Sequence, residues 1–343
     1  MIYFIEQNNW NALHDTIDNL KPTSITIIVD NNTAKFCLPL LEFTDVNIVK
    51  IPDGEAHKNI ETVQSIWQRL LQYGVDRHGL IINLGGGMVT DIGGFAASTY
   101  KRGLSFIHIP TTLLAMVDAA IGGKNGINFE SYKNQIGTIV QPEAVFINPL
   151  FLNTLPENQL MSGIAEMIKH ALIAKPAHFK QIIDSPLSLE HYLIAESAKI
   201  KEKIVQSDPY EKGLRKILNF GHTFGHALEA WYQSTRTSLT HGHAVALGMI
   251  AETYLSSLKT GLNSNEARKI IEEIVRLYPV PDNLPAVDDL LSFMFHDKKN
   301  RNGKILSVLL KQTGQPVIDI MISEKDIEAA LTKLHRLKKR RPV

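Results

Sequence analysis

Cysteine is almost missing from this sequence. Cys37 is the single one among 343 residues, so no disulfide can close within the chain, and any metal centre must rely on nitrogen and oxygen ligands. Long apolar runs are missing too: nothing approaches the ~18–20 uninterrupted apolar residues of a membrane span. The opening MIYFIEQNNW lacks the charged leader and apolar core of a secretion signal. Neither sign of charge is in excess. Lys and Arg total 36 against 35 Asp and Glu, a formal net charge of +1, which creates no global field for nucleic acid or a membrane surface. The basic run at 338–341 reads as a solvated helix end. With 44% hydrophobic and 21% charged residues, extended disorder is excluded as well. The expectation is a soluble, cytoplasmic protein in a reducing compartment, long enough for two domains at about 150 residues each.

The first half alternates β-branched runs with helical periodicity. Residues 25–29 (ITIIV), 46–51, 80–84 (LIINL) and 106–109 read as buried strands, and 59–73 carries the apolar stripe of an amphipathic helix ended by Gly74. Strands alternating with helices predict an α/β fold with a parallel sheet. After about residue 150 long helical stretches take over: one capped by Ser162 and running through Ala174, then 188–206, 221–232, 243–259 and 264–277. The reading is an α/β nucleotide-type domain over 1–150 followed by a mostly helical domain over 151–343.

Strand 80–84 runs into Gly85-Gly86-Gly87-Met88-Val89-Thr90-Asp91 and a helix starting near Ile92. Glycines let the backbone approach a ligand closely, and a helix N-terminus offers free N–H groups to phosphate oxygens. The spacing is neither the dinucleotide fingerprint, since position 90 is Thr, nor a Walker A motif. A tight turn without a ligand is the alternative. Asp30, at another strand end, could face a ribose or cap a helix. Thr111 and Thr112 follow a third strand and offer two hydroxyls.

Four of the 13 histidines, His222, His226, His241 and His243, fall between residues 222 and 243, where uniform scatter would leave about one. His222 and His226 stand at i and i+4, one helix face, where two rings can converge on an ion. Spacing leaves open which of them bind metal and which bind substrate; hydrogen-bonded core histidines or a metal-free phosphate site are the alternatives. Glu166, Lys169 and His170 share one face of the 162–174 helix. They form either a surface salt bridge or, given the apolar neighbours, a buried charge seeking a cation. Cations beside glycines or asparagines recur at Lys101-Arg102, Lys124, Lys133-Asn134, Arg215 and Lys298-Lys299. Most lysines are solvated surface, but the glycines around Lys124 suggest a tight loop with the lysine aimed inward. Together they suggest a small, multiply anionic substrate such as a phosphorylated sugar acid.

These blocks carry a family resemblance. DGEAHK (53–58), GGGMVTDIGGFAAS (85–98), YKRGLSFIHIPTTLLAMVDAAIGGKNGIN (100–128), SGIAEMIKH (162–170), EKGLRKILNFGHTFGHALE (211–229) and HGHAVALGM (241–249) resemble the 3-dehydroquinate synthases, members of the sugar-phosphate cyclase family. The resemblance implies a Rossmann-like NAD-binding domain followed by a helical metal- and substrate-binding domain. It also implies conversion of 3-deoxy-D-arabino-heptulosonate 7-phosphate to 3-dehydroquinate and phosphate with NAD and a divalent metal, usually zinc, with cobalt as the alternative. It assigns the metal to Glu166, His222 and His241, and moves His226 to the substrate set. NAD contacts become Asp30, Asn32, Asp53, Glu55, Lys58, Gly86, Gly87, Asp91, Thr111, Thr112, Lys133 and Thr154. Substrate contacts become Arg102, Asp118, Lys124, Asn134, Lys169, Lys201, Arg215, Asn219 and His226, with one of Lys298 and Lys299. A homodimer is implied as well.

The sequence departs from the family pattern at His243, where Glu is usual, and at Asn158-Gln159, where Arg-Glu is usual. Neither position belongs to the metal or substrate sets. Rival readings are a cyclase acting on sedoheptulose 7-phosphate or glucose 6-phosphate, a polyol dehydrogenase of the glycerol dehydrogenase type, and a non-catalytic nucleotide-binding module.

Overall fold

The apolar runs of the first half become strands because each is short, β-branched and bounded by turn residues. In the computed structural model, which describes residues 1–6, 8–130, 132–187, 190–237, 239–295 and 304–338, contacts divide the chain into Met1–Leu160 and Met161–Val343. The first unit holds a six-stranded sheet of order β1-β8-β5-β4-β2-β3. Its strands are β1 (Ile2–Phe4), β2 (Ile25–Val29), β3 (Asn47–Lys50), β4 (Leu80–Gly85), β5 (Ser105–Pro110) and β8 (Ala144–Ile147). Every pairing is parallel. β2 leads outward to β3, whereas β4 leads the other way to β5 and β8, so the winding reverses between β2 and β4. In doubly wound sheets ligands lodge at that reversal, outside the carboxyl ends of the strands.

The helices of this unit are α1 (Asn11–Leu20), α2 (Asn31–Phe36), α3 (Ile60–Gln72) and α4 (Gly87–Thr99). Asn59 caps α3 by accepting from the Thr62 N–H at 3.0 Å. α4 begins at Gly87 and not near Ile92, because the extended Gly86 already serves as N-cap and its carbonyl takes the Thr90 N–H at 3.0 Å. Most of α4 is buried, against β4, β5 and a two-stranded hairpin of β6 (Lys124–Phe129) and β7 (Tyr132–Ile139). A side chain on Gly93 or Gly94 would run into Asn83 or Asn125. The inward loop expected around Lys124 is corrected here. Gly122 and Gly123 make the turn at φ +111° and +66°, Lys124 then opens β6 with its side chain exposed, and Asn125 is the residue that points in.

The second unit contains α5 (Glu157–Ala174, which begins just before the division), α6 (Pro176–Asp184), α7 (His191–Ser207), α8 (His222–Ser234), α9 (His241–Lys259), α10 (Ser264–Leu277), α11 (Val287–Phe295) and α12 (Glu324–Lys338). A hairpin of β9 (Ile305–Gln312) and β10 (Gln315–Ile322) completes it. α9 is apolar nearly all round and forms the centre of this unit, packed by α8, α10, α12 and β9. α5 starts at Glu157, earlier than the Ser162 cap expected from the sequence. Pro156 precedes it, and its carbonyl accepts the Gln159 and Leu160 N–H groups. Ser162 is instead buried within α5, so close to α9 that a Cβ on Gly242 would lie 2.3 Å from its Cα. No helix among the described residues is long and apolar enough to cross a membrane.

Candidate active site

At the carboxyl ends of adjacent strands β2, β4 and β5, the first unit presents Asp30, Gly86 and Thr111. Asp30 caps α2, accepting the Thr33 N–H at 2.7 Å, while its own N–H donates to Thr33 Oγ1 at 2.9 Å. Asn32 is exposed in the first turn of α2. Asp53 is exposed and accepts from Asn31 Nδ2 at 2.6 Å, a bond that holds its carboxyl below the usual range. The glycine turn is tight: a Cβ on Gly86 would stand 3.0 Å from Thr112 Cγ2, and one on Gly87 would stand 3.1 Å from Ala119 Cβ. Thr112 Oγ1 in turn accepts the Ala115 N–H. The glycine, threonine and Asp30 positions thus share the strand-end edge. Thr154 is exposed, in a 3-10 turn at Pro149–Thr154.

Lys58 is the buried charge of this unit. Its Nζ donates to Asp91 Oδ2 and Asn134 Oδ1, each at 2.6 Å, and lies 3.9 Å from Glu55. Burial works against its charge, yet Asp91 and Glu55 hold it above the usual lysine range. Asn134 takes a left-handed conformation at φ +52° with its N–H on Asn128 Oδ1, and Asn128 Nδ2 donates to Glu55. One network therefore joins Glu55, Lys58, Asp91 and Asn134. Arg102 and Lys133 are exposed, and Asp118 is half-buried in a single π-turn at Ala115–Ala119.

In the second unit Glu166, Lys169 and His170 are all buried on α5, which rules out the surface reading of this pair. The Lys169 ammonium is paired with Glu166 Oε2. Glu166 Oε1 lies 3.6 Å from His222 Nε2 at the start of α8 and 3.5 Å from His241 Nε2 at the start of α9. The ligand atoms of these three residues all fall within 4.8 Å of one another. Ligands about 2.1 Å from a tetrahedral zinc ion stand about 3.4 Å apart, so a carboxylate and two imidazoles at these distances fit a divalent ion. His226, one turn along α8, is exposed, with its ring 5.1 Å from that of His222 and 6.0 Å from that of His241.

Each imidazole has a second partner that orients its ring. His222 Nδ1 donates to the Phe220 carbonyl at 3.1 Å, and His241 Nδ1 to Glu229 Oε2 at 3.2 Å, leaving both Nε2 atoms toward Glu166. Burial alone would push His241 down, but its bonds to Glu166 and Glu229 and their charges raise it to about 10. The position between those two carboxylates thus favours a cation. Glu229 was not singled out from the sequence, where it reads as one more helical glutamate.

Two further candidate cations of this unit are turned in. Lys201 and Arg215 are buried, and Arg215 Nη1 donates to the Pro209 carbonyl at 2.6 Å. Asp208 shapes that loop, accepting the N–H groups of Lys212, Gly213 and Arg215. The Gly213 amide first of all keeps its carboxyl below the usual range. Asn219 Nδ2 donates to Glu211 Oε1 at 2.7 Å. Lys298 and Lys299 lie outside the described residues.

Comparison with known proteins shows the family. The family profile described as 3-dehydroquinate synthase N-terminal matches residues 48–162, and the one described as 3-dehydroquinate synthase C-terminal matches residues 163–300. A 3-dehydroquinate synthase of Parabacteroides distasonis is 40% identical over 331 residues, 94% of each chain. The chain belongs to the 3-dehydroquinate synthase family. It is therefore an enzyme, of a family of lyases. Among solved structures, ValA, the 2-epi-5-epi-valiolone synthase of Streptomyces hygroscopicus subsp. jinggangensis, with NAD+ and Zn2+ bound, is similar at TM-score 0.86 and 28% identity, covering 98% of this chain and 96% of its own. A 2-deoxy-scyllo-inosose synthase complexed with carbaglucose-6-phosphate, NAD+ and Co2+ shares the fold at TM-score 0.85 and 24% identity, over 97% and 96% of the two chains.

His243, one of the two departures from the family pattern, lies outside the candidate ligand set. Its Nε2 meets the Pro279 carbonyl at 2.9 Å and its ring lies edge-on to Tyr278, whose hydroxyl donates to the Met161 carbonyl at 2.7 Å. Asn158 and Gln159 are exposed in the first turn of α5.

Proposed function

We propose that this enzyme converts 3-deoxy-D-arabino-heptulosonate 7-phosphate to 3-dehydroquinate and inorganic phosphate, using NAD and one divalent ion, zinc or cobalt. The observation that carries the reading is the Glu166–His222–His241 set, two of its members buried and His241 half-buried, with its partners and adjoining cations, in a chain of this family. Those three residues would hold the ion. The strand-end groups Asp30, Asn32, Asp53, Gly86, Gly87, Thr111 and Thr112, with Glu55, Lys58, Asp91, Lys133 and Thr154, would hold NAD. Together the two cofactors supply a reversible hydride acceptor and stabilisation of negative charge on oxygen.

For the substrate, the proposed course is oxidation at carbon 5, loss of phosphate, reduction, ring opening and internal aldol closure. The chain's own residues bind and orient. Lys169, Lys201 and Arg215 are buried cations suited to a phosphate and a carboxylate, and Arg215 is further fixed by the loop built on Asp208. His226, exposed with its ring 5.1 Å from that of His222, would hold or move a proton near the substrate's ring oxygens. Arg102, Asp118, Lys124, Asn134 and Asn219, with one of Lys298 and Lys299, complete the proposed substrate set. We place the enzyme in the cytoplasm as a homodimer.

The test compares the heptulosonate phosphate, sedoheptulose 7-phosphate and glucose 6-phosphate side by side. Each is incubated with NAD and zinc or cobalt, and phosphate release and NADH absorbance are followed together. Phosphate released from the heptulosonate without net NADH is expected. Release from sedoheptulose 7-phosphate alone overturns the substrate, and net NADH without phosphate indicates a polyol dehydrogenase.

A further inference from the structure

Glu252 is wholly buried on α9 and belongs to none of the sets above. Its two carboxylate oxygens serve two different amides: Oε2 accepts the Gly221 N–H at 2.5 Å, and Oε1 accepts the Thr223 N–H at 3.2 Å. Those amides flank His222 on either side. A carboxylate at the start of a helix is favoured by the helix dipole, and these N–H groups have no partner within α8. The same stretch of main chain is also held by contact. Gly221 has φ +81°, a Cβ on it would lie 2.5 Å from Met249 Cγ and 2.9 Å from the Val245 carbonyl, and a Cβ on Gly248 would lie 1.9 Å from the Gly221 carbonyl. No side chain fits between the start of α8 and α9, so the backbone leading into His222 is clasped directly against α9.

We propose that Glu252 is a positioning residue for His222. Its carboxylate fixes the amides on both sides of that residue, so that Nδ1 meets the Phe220 carbonyl and Nε2 faces Glu166 before any ion arrives. A neutral side chain of the same shape would offer one acceptor and set an NH2 group against the other amide, releasing one of the two. The inference rests on the proposed ligand set, so the experiment separates the two.

The variants are Glu252→Gln and Glu252→Asp in the full chain, with His222→Ala as reference. Cobalt affinity is measured by chelator competition, the absorption spectrum of bound cobalt is recorded, and NAD affinity serves as control. The expected result for Glu252→Gln is cobalt binding weaker by about 10–100-fold, a shifted cobalt spectrum and NAD affinity unchanged. Glu252→Asp, which keeps both acceptors, should recover part of that loss. Unchanged cobalt affinity and spectrum, even with a lowered melting temperature, overturn the proposal and leave Glu252 a purely structural cap. Wild-type protein that binds no cobalt, or His222→Ala protein that binds it as tightly as wild type, overturns the ligand set and the inference with it. If neither Glu252 variant folds, hydrogen exchange of the metal-free wild type decides. The Gly221 and Thr223 amides should be protected, and exchange at unprotected rates refutes the clamp.

Discussion

The first unit presents mainly backbone and hydroxyl groups at the carboxyl ends of β2, β4 and β5, and its candidate charged side chains Asp53, Arg102 and Lys133 are exposed. The second unit offers buried and half-buried side chains held by further side chains: Glu166 by Lys169, His241 by Glu229, and the chain around His222 by Glu252. A pyrophosphate needs close, adaptable N–H groups, which a glycine turn supplies without any particular side chain. A small ion needs a few atoms at fixed distances, so its ligands must be locked from behind. The two sites should therefore fail independently and in different ways.

The sharpest separation comes from the ligands themselves. Glu166→Gln or His222→Ala should weaken metal binding by about a thousandfold or more, since each removes one of the three proposed protein ligands. NAD affinity, measured by calorimetry on the same preparations, should stay within twofold. Next, Glu229→Gln should cost about 10–100-fold in metal affinity, because it releases the Nδ1 side of His241 without touching a ligand atom. Equal losses of NAD and metal in either variant would break the contrast between the units.

Acid stability offers a comparison in which the units should behave alike, for each buries a neutral histidine. Burial pushes His108 down to about 3 in the first unit, where Asn83 lies 3.2 Å from its Nδ1. Burial likewise pushes His178 down to about 4 in the second, beside Ser197. The unfolded chain takes up these protons near pH 6.5 and the folded chain does not. Their stabilisation is therefore complete above pH 6.5 and is lost as pH falls toward 3 and 4. Between pH 6.5 and 5 each should cost about 2 kcal/mol, read as the change in urea midpoint, and His108→Asn should remove its share. A flat midpoint over that range would contradict the burial of both rings. The smallest effect is expected at the glycine turn: Gly87→Val should weaken NAD about tenfold by crowding Ala119, with metal affinity unchanged.

Much of the fold was legible because period and punctuation were strong. The runs 25–29 and 80–84 became β2 and β4, Gly74 ended the helix before it, and residues 264–277 are α10. The hairpin β9–β10 was obscured by its helical surroundings. Lys124 misled because Gly122 and Gly123 were read as a loop around the lysine when they are the turn before β6. At the site, spacing favoured His222 with His226 as a pair on one helix face. The structure brings Glu166 and His241 to His222 from other helices, a relation that sequence separation does not encode. Glu229 and Glu252 were invisible for a related reason: a helical glutamate looks solvent-facing until packing shows what it meets.

The most direct test of the ligand set is a cobalt titration of His222→Ala beside His226→Ala, followed by the absorption of the bound ion. One equivalent should be bound by wild type and by His226→Ala, and none retained by His222→Ala. A His226→Ala protein that loses the ion while His222→Ala keeps it would contradict the account.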